Sequence, residues 1–155
     1  MRGSLGMNSI FLDTNFFLDI FDVKRERHLK AKEVLGLFLD NNVKLYTSSD
    51  IISTISYFLQ KKLDLKSSVI NIDFIVQQVI ILLADNEDFI KLNQIILQKL
   101  EEDGDLNIDY EDCMQLFLAN KYEVENILTS DKHFCKGIEG NYFVNIVSLE
   151  DCFTD

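Results

Sequence analysis

The chain moves between two rhythms, short unbroken apolar runs and longer stretches in which apolar residues return every three or four positions. "NSIFLD" is a continuous apolar run that stops at a carboxylate, the pattern of a strand covered on both faces. "TNFFLDIFD" reads as a short helix. In "ERHLKAKEVLGLFLDNN", Leu29, Ala31, Val34, Leu35, Leu37 and Phe38 fall at helical spacing and an Asn pair closes the helix. "VKLYTS" is a brief strand. "SDIISTISYFLQKKL" is a helix with Ser49 and Asp50 as cap candidates and basic residues at its end. "LKSSVINIDFIVQQ" predicts a helix running into "VIILL", a third strand. "NEDFIKLNQIILQKLEEDG" is a helix stopped by Gly104, and "DYEDCMQLFLANKY" is another. "VENILTSD" is a strand ending at Asp131, "GNYFVNIVS" a last strand, and "SLEDCF" a capped terminal turn. Short apolar strands alternating with longer helices predict an α/β fold: a three-layer sandwich with a central, mainly parallel β-sheet flanked by helices. Phe16, Phe17, Phe58, Phe74 and Phe117 lie on the apolar faces and are expected in the core.

Composition narrows the picture. The 155 residues suit one domain with a sizeable core and are too few for two. The opening "MRGSLG" reads as a cloning remnant, so residues 7–155 are taken as the single domain and Met7 as the native start. No stretch reaches the roughly eighteen uncharged apolar residues of a spanning helix. The longest, "VINIDFIVQQVIILLA", is broken by Asp73, Gln77 and Gln78. No basic-then-apolar signal segment is evident, so a cytoplasmic protein without membrane association is expected. Cys113, Cys135 and Cys152 are odd in number and lack a CxxC pair. They read as reduced, packed thiols, not as a disulfide framework or a zinc site. A net charge of -11, from 26 acidic and 15 basic residues, argues against loose charge-driven nucleic-acid binding. It is compatible with carboxylates gathered around a divalent cation.

Those carboxylates have an expected meeting place. In an open parallel sheet, ligands bind beyond the carboxyl ends of the strands, where connections diverge. Asp13 ends the first predicted strand and Asp131 the fourth, and Asp109 and Asp112 open the helix before the fourth. Asp109, Asp112, Cys113, Leu116 and Phe117 share helical spacing, so both acids extend an apolar stripe and point toward the core's rim. Singly, Asp13 or Asn15 reads as a helix cap, Asp131 as a turn residue, and Asp109, Glu111 and Asp112 as partners of a helix dipole. Together, like charges at one rim repel unless a cation or proton compensates. Oxygen donors without a nearby imidazole or thiolate favour Mg²⁺ or Mn²⁺ over zinc.

In this order and spacing, "FLDTNFFLD", "DYEDCMQLFLA" and "ILTSDKHF" resemble the three acidic motifs of PIN-domain ribonucleases, most closely the branch of VapC-type toxins. The resemblance spans the chain from Met7. It implies a PIN-like fold and a Mg²⁺- or Mn²⁺-dependent endonuclease acting on single-stranded or structured RNA. By motif, Asp13, Asp112 and Asp131 match metal-binding acids, and Asp109 matches an acid present in part of the family. Asn15 and Thr129 match groups that orient those carboxylates. It further implies the toxin of a toxin–antitoxin pair, held by an antitoxin protein and homodimeric. One position departs. Similar proteins usually carry Glu in the helix after the second strand, where this chain has Thr54. Asp50, four residues earlier on the same face, either caps that helix or reaches the site in place of the Glu.

Hydrolysis of a phosphodiester needs activated water and relief of phosphate charge, which a carboxylate-held cation supplies. Three acids suffice for one Mg²⁺, which keeps several waters. Lys24, Arg25, Arg27, Lys30 and Lys32 form the main basic patch and the first expectation for RNA-backbone contacts, followed by Lys61, Lys62 and Lys132. His28 and His133 read as surface residues. A second function class is a PIN-fold module without activity that binds RNA or protein. Phosphotransfer folds fit less well, because the second acid of an Asp-x-Asp pair is here Asn15, and "FLDTN" supplies one acid only.

Overall fold

Ser9–Leu12 forms the first strand (β1), and all four of its residues are buried. Ile10, Phe11 and Leu12 are fully inaccessible. Since neighbouring residues of a strand point to opposite faces, both faces of β1 are covered. The computed structural model describes residues 6–153, so the expected remnant at 1–6 lies outside the described residues apart from Gly6. After β1 come helices α1 (Thr14–Phe21) and α2 (His28–Asp40), strand β2 (Lys44–Ser48), and helices α3 (Ser49–Lys62) and α4 (Leu65–Gln78). Strand β3 (Ile80–Leu82), helices α5 (Asn86–Glu102) and α6 (Tyr110–Lys121), and strands β4 (Asn126–Leu128) and β5 (Asn145–Val147) complete the order.

The five strands lie in the order β3-β2-β1-β4-β5, and every neighbouring pair is parallel. The mainly parallel sheet expected from the sequence is therefore wholly parallel among the described residues. The chain builds outward from β1 through β2 to β3, then returns to place β4 on the other side of β1. The order thus reverses between β1 and β4. There Phe11 pairs with Ile127 and Leu12 with Leu128, so the residues after each strand emerge side by side. On the sheet's other side Thr47 Oγ1 donates to the Leu12 carbonyl at 3.0 Å, tying β2 to β1 at this same end.

The core joins the β1 and β4 side chains to Phe16 and Phe17 of α1, Ala31, Val34 and Phe38 of α2, Ile51, Ile55 and Leu59 of α3, and the buried run Cys113–Ala119 of α6. Helix α1 packs on α2 and α3, α3 on α4, and α5 on α6. Several local expectations change. Ser48, not Ser49 or Asp50, caps α3, accepting from Ile51 N at 3.3 Å. The last strand is shorter than "GNYFVNIVS", because a 3-10 turn at Glu139–Asn141 takes up its start. Phe58 and Phe74 are 40% and 44% exposed, not core residues, and Leu29 is 78% exposed. The Lys61 ammonium lies 5.8 Å from the Phe58 ring and 4.2 Å from that of Tyr57, so surface cation–π contacts take the place of burial there.

Candidate active site

Asp13 follows β1 directly and occupies the N-cap of α1 in extended geometry, its Oδ1 accepting from Phe16 N at 3.1 Å. The Thr129 hydroxyl, just past β4, is its second partner. The paired register of Leu12 and Leu128 is what sets these two side by side. Asp13 is 8% exposed. Burial pushes its carboxyl up to about 6, against the opposing pull of Phe16 N and Thr129, with the Asp19 charge adding to the rise.

Thr129 serves both sides. Its hydroxyl hydrogen-bonds Asp13, and its Oγ1 accepts from the Asp131 backbone N at 3.2 Å. One donor and two lone pairs make a hydroxyl suited to that bridge. The Asp131 carboxylate is exposed and receives His133 N at 2.8 Å, which makes "SDKH" a tight turn as well as an acidic corner. Beyond it, the Cys135 and Cys113 thiols hydrogen-bond each other, tying this loop to α6. All three cysteines are free and buried.

Helix α6 brings the remaining acids. Asp109 is its N-cap and accepts from Asp112 N at 3.0 Å. Asp112 is half-buried, and burial together with the charges of Asp109, Asp13, Asp131 and Glu111 raises its carboxyl to about 7. Acids from three separate segments therefore act on one side chain at the switch point. Asp50 is not among them. It stands over Glu111, whose carboxyl is raised by burial and by Asp109 and Asp50, while the Thr54 hydroxyl donates to the Asp50 carbonyl at 3.0 Å.

Asp19 was not anticipated. It is 4% exposed, and Arg25 Nε donates to its Oδ1 at 2.6 Å. The same guanidinium reaches Asn15 Oδ1 at 3.4 Å, and His28 Nδ1 contacts the Asp19 carbonyl at 2.9 Å. A carboxylate inside "FFLDIF", four residues after Asn15 and six before an arginine, is the sequence signal for this pair. His28 is accordingly half-buried and engaged, not a solvated surface residue. The basic patch is also partly spent. Arg25 pairs with Asp19, Lys30 with Glu150 at 3.2 Å, and Lys62 with Asp22. Lys24, Arg27 and Lys132 are exposed, and Arg27 and Lys132 line an open groove of about 620 Å³ beside Asp131.

The chemistry of the donors suits a hard divalent cation: carboxylates, a hydroxyl and an amide, with burial first and the neighbouring acids after it raising Asp112 to about 7. Among the described residues, no three acidic, imidazole or thiol groups already stand at the spacing of one ion's ligands. Three of the acids are instead committed to backbone N–H groups, Asp13 to Phe16, Asp109 to Asp112 and Asp131 to His133. An open half-shell of this kind fits an ion that takes one or two protein carboxylates and fills the rest with water.

A parallel sheet with acids gathered at its β1/β4 switch point defines an α/β protein of the class in which ligands bind at the carboxyl edge of the sheet. The sequence model described as "PIN domain" matches residues 9–133, and the chain belongs to the PIN-domain family. Ribonuclease VapC1 of Aquifex aeolicus is 34% identical over 131 residues, covering 83% of this chain and 86% of that protein. Among solved structures, VapBC-1 of nontypeable Haemophilus influenzae superposes with a TM-score of 0.67 at 15% identity, over 92% of this chain and 98% of the other. VapBC2 of Rickettsia felis, bound to a promoter DNA fragment, gives 0.66 at 15% identity, over 90% and 98%. At these identities the structural likeness concerns the fold.

Proposed function

We propose that the protein is a Mg²⁺- or Mn²⁺-dependent endoribonuclease, hydrolysing RNA phosphodiester bonds as the toxin of a toxin–antitoxin pair in the cytoplasm. The observation that supports this reading most is the placement of Asp13, Asp112 and Asp131 at one end of the sheet, near enough that Asp13 and Asp131 add to the rise that burial and Asp109 cause in the Asp112 carboxyl. The similarity to a ribonuclease of Aquifex aeolicus supports it from the sequence side.

In this reading Asp13, Asp112 and Asp131 hold the cation, with Asp109 beside them. The bound ion lowers the pKa of a water and offsets charge on the phosphate. Thr129 orients Asp13 and the Asp131 backbone through its bridging hydroxyl. Asn15 and Arg25 form the rim, where the guanidinium can meet a phosphate without leaving Asp19. Lys24, Arg27 and Lys132 guide the backbone along the adjoining groove. With a net charge of -11, affinity for RNA depends on this local set and on the cation, not on the molecule's overall field.

An antitoxin partner and a homodimer belong to the same reading, supported by the exposed apolar side chains of α4, β3 and the residue after it: Val69, Ile70, Phe74, Ile80, Ile81 and Leu83. The test is cleavage of single-stranded and structured RNA with Mn²⁺, Mg²⁺ or EDTA. Metal-dependent cleavage that falls at least a hundredfold in Asp112→Asn and in Asp13→Asn is expected, about 2.7 kcal/mol of barrier. Thr54, at the position where similar proteins usually carry Glu, favours one rival, a binding module without activity. Folded protein that cleaves no RNA with either metal would establish that rival.

A further inference from the structure

We propose that Asp19 is a positioning residue, holding the Arg25 guanidinium on the phosphate that reacts and not on the flanking backbone. The proposal rests on the ribonuclease reading for its reaction and on separate observations for its geometry. Asn15 and Asp19 stand at i and i+4 on α1 and so share a face. Beyond the helix the chain turns back, Arg25 N donating to the Asp22 carbonyl at 3.1 Å. The Arg25 side chain then reaches Asp19 through Nε at 2.6 Å and Asn15 through Nη2 at 3.4 Å. It therefore lies along α1 toward the end where Asp13 stands, near enough that the Asp19 charge is felt at Asp13.

Packing alone does not call for an acid at position 19. The residues around it on α1 are Phe16, Phe17, Ile20 and Phe21, and Asp19 itself is 4% exposed. Replacing a buried ion pair by apolar side chains of similar size is often neutral or stabilising. Nor does the turn after α1 depend on this pair. Asp22 accepts from Lys24 N at 3.0 Å and is bonded to Lys62. His28 Nδ1 meets the carbonyl of residue 19, which any amino acid would supply. What the carboxylate adds is a fixed guanidinium.

That guanidinium has donors left over. Of its five N–H groups, one goes to Asp19 and one to Asn15. With the side chain 35% exposed, the others are available to a phosphate, whose paired oxygens match the planar fork. Position separates Arg25 from the other cations. Its partners Asn15 and Asp19 line a small concavity with Asp13, Thr129 and Ser130. Arg27 and Lys132 line the larger groove, which shares Thr129 and Ser130 with it. An RNA strand running through both sets one phosphate beside the acids and Arg25, and the next ones beside Arg27 and Lys132.

The reaction shows why a pinned charge matters. Water gives up a proton as its oxygen bonds to phosphorus; the bond to the leaving ribose oxygen breaks, and that oxygen takes a proton. Arg25 transfers no proton and forms no covalent bond. Charge grows on the non-bridging oxygens meanwhile, and a donor already in place meets it without reorganisation. An unpinned arginine would first have to be ordered, at a cost in side-chain entropy.

The test is a double-mutant cycle on RNA cleavage, with kcat and KM resolved and folding checked by circular dichroism. Arg25→Ala should lower kcat about a hundredfold and Asp19→Leu about tenfold, each with KM within a fewfold of wild type. Once Arg25 is replaced, Asp19→Leu should have no further effect, since it acts through that side chain. Methylguanidinium should restore part of kcat to Arg25→Ala and none to the double variant, which has lost the carboxylate. If Arg25→Ala does not fold, Arg25→Lys keeps Asp19 paired and should still lose about tenfold in kcat, for want of the fork. Wild-type kcat in Asp19→Leu, an equal loss in both backgrounds, or rescue without Asp19 overturns the proposal and leaves the ribonuclease reading standing. A second readout needs no hydrolysis. In EDTA, a short RNA should shift the Arg25 guanidinium resonances of the wild type in NMR but not those of Asp19→Leu. That pattern in a chain that cleaves no RNA with either metal would sink the ribonuclease reading and keep the pinned contact; unmoved wild-type resonances overturn the contact.

Discussion

Asp13 and Asp112 hold their protons far above the usual carboxylate range, Asp13 to about 6 and Asp112 to about 7, and burial is the largest cause for each. A carboxyl raised on folding makes the native state bind more protons than the unfolded chain between the two pKa values. Stability therefore falls as pH climbs from about 4 through 7. For Asp13, moving from the ordinary 3.8 to about 6 corresponds to roughly 3 kcal/mol. The metal-free protein should thus melt several degrees lower at pH 8 than at pH 5.5. Mn²⁺ should recover much of that loss at pH 8, do little at pH 5.5, and lose its effect on adding EDTA; calorimetry at the two pH values checks all of this. The Asp19–Arg25 pair gives a second expectation. Asp19 is 4% exposed, so Arg25→Ala strands a buried carboxylate and should cost about 2 kcal/mol in urea unfolding. Asp19→Asn combined with Arg25→Ala should cost less than Arg25→Ala alone, because no charge is left without its partner.

At the scale of elements, helix ends do most of the positioning. Asp13 caps α1 and Asp109 caps α6, so two acids of the rim also satisfy backbone donors. Helix α5 shows the same economy away from the site. Asp85 and Asp88 form a reciprocal capping box, and both Asp88 oxygens receive Lys121 of α6 at 2.8 and 2.9 Å. Burial alone would push Asp88 up, but Lys121 and the Asp85 backbone hold its carboxyl below the usual range. Asp88→Ala should therefore lower stability by about 2 kcal/mol, combining a lost cap with a lost charged bond; the denaturation midpoint reports it.

These devices also explain what could be read beforehand. The placement of Asp13, Asp112 and Asp131 was legible because each stands where an apolar run ends or a helix begins, a purely local signal. The pairing of Lys30 with Glu150 and of Lys62 with Asp22 was not, since each partner lies far away in the chain. The same non-locality hid the exposure of Phe74 and Phe58: a helical stripe announces that it is apolar, not whether anything covers it.

Across the whole molecule, apolar surface is uneven. Val69, Ile70 and Phe74 of α4 are 53%, 59% and 44% exposed, and Ile80 and Leu83, in and just after the edge strand β3, are 48% and 62% exposed. Monomers seldom leave so much apolar surface on neighbouring elements. Sedimentation should find a dimer, and Val69→Glu with Ile70→Glu should convert it to monomer while the circular dichroism spectrum stays native.

The register of Leu12 against Leu128 carries a last consequence, for the time of synthesis. A nascent chain still anchored in the ribosome, with β4 yet to emerge from the exit tunnel, has Asp13 but neither Thr129 nor Asp131 to set beside it. An RNA-cutting enzyme arranged this way would leave its own messenger and translating ribosome untouched until nearly all of it has been made.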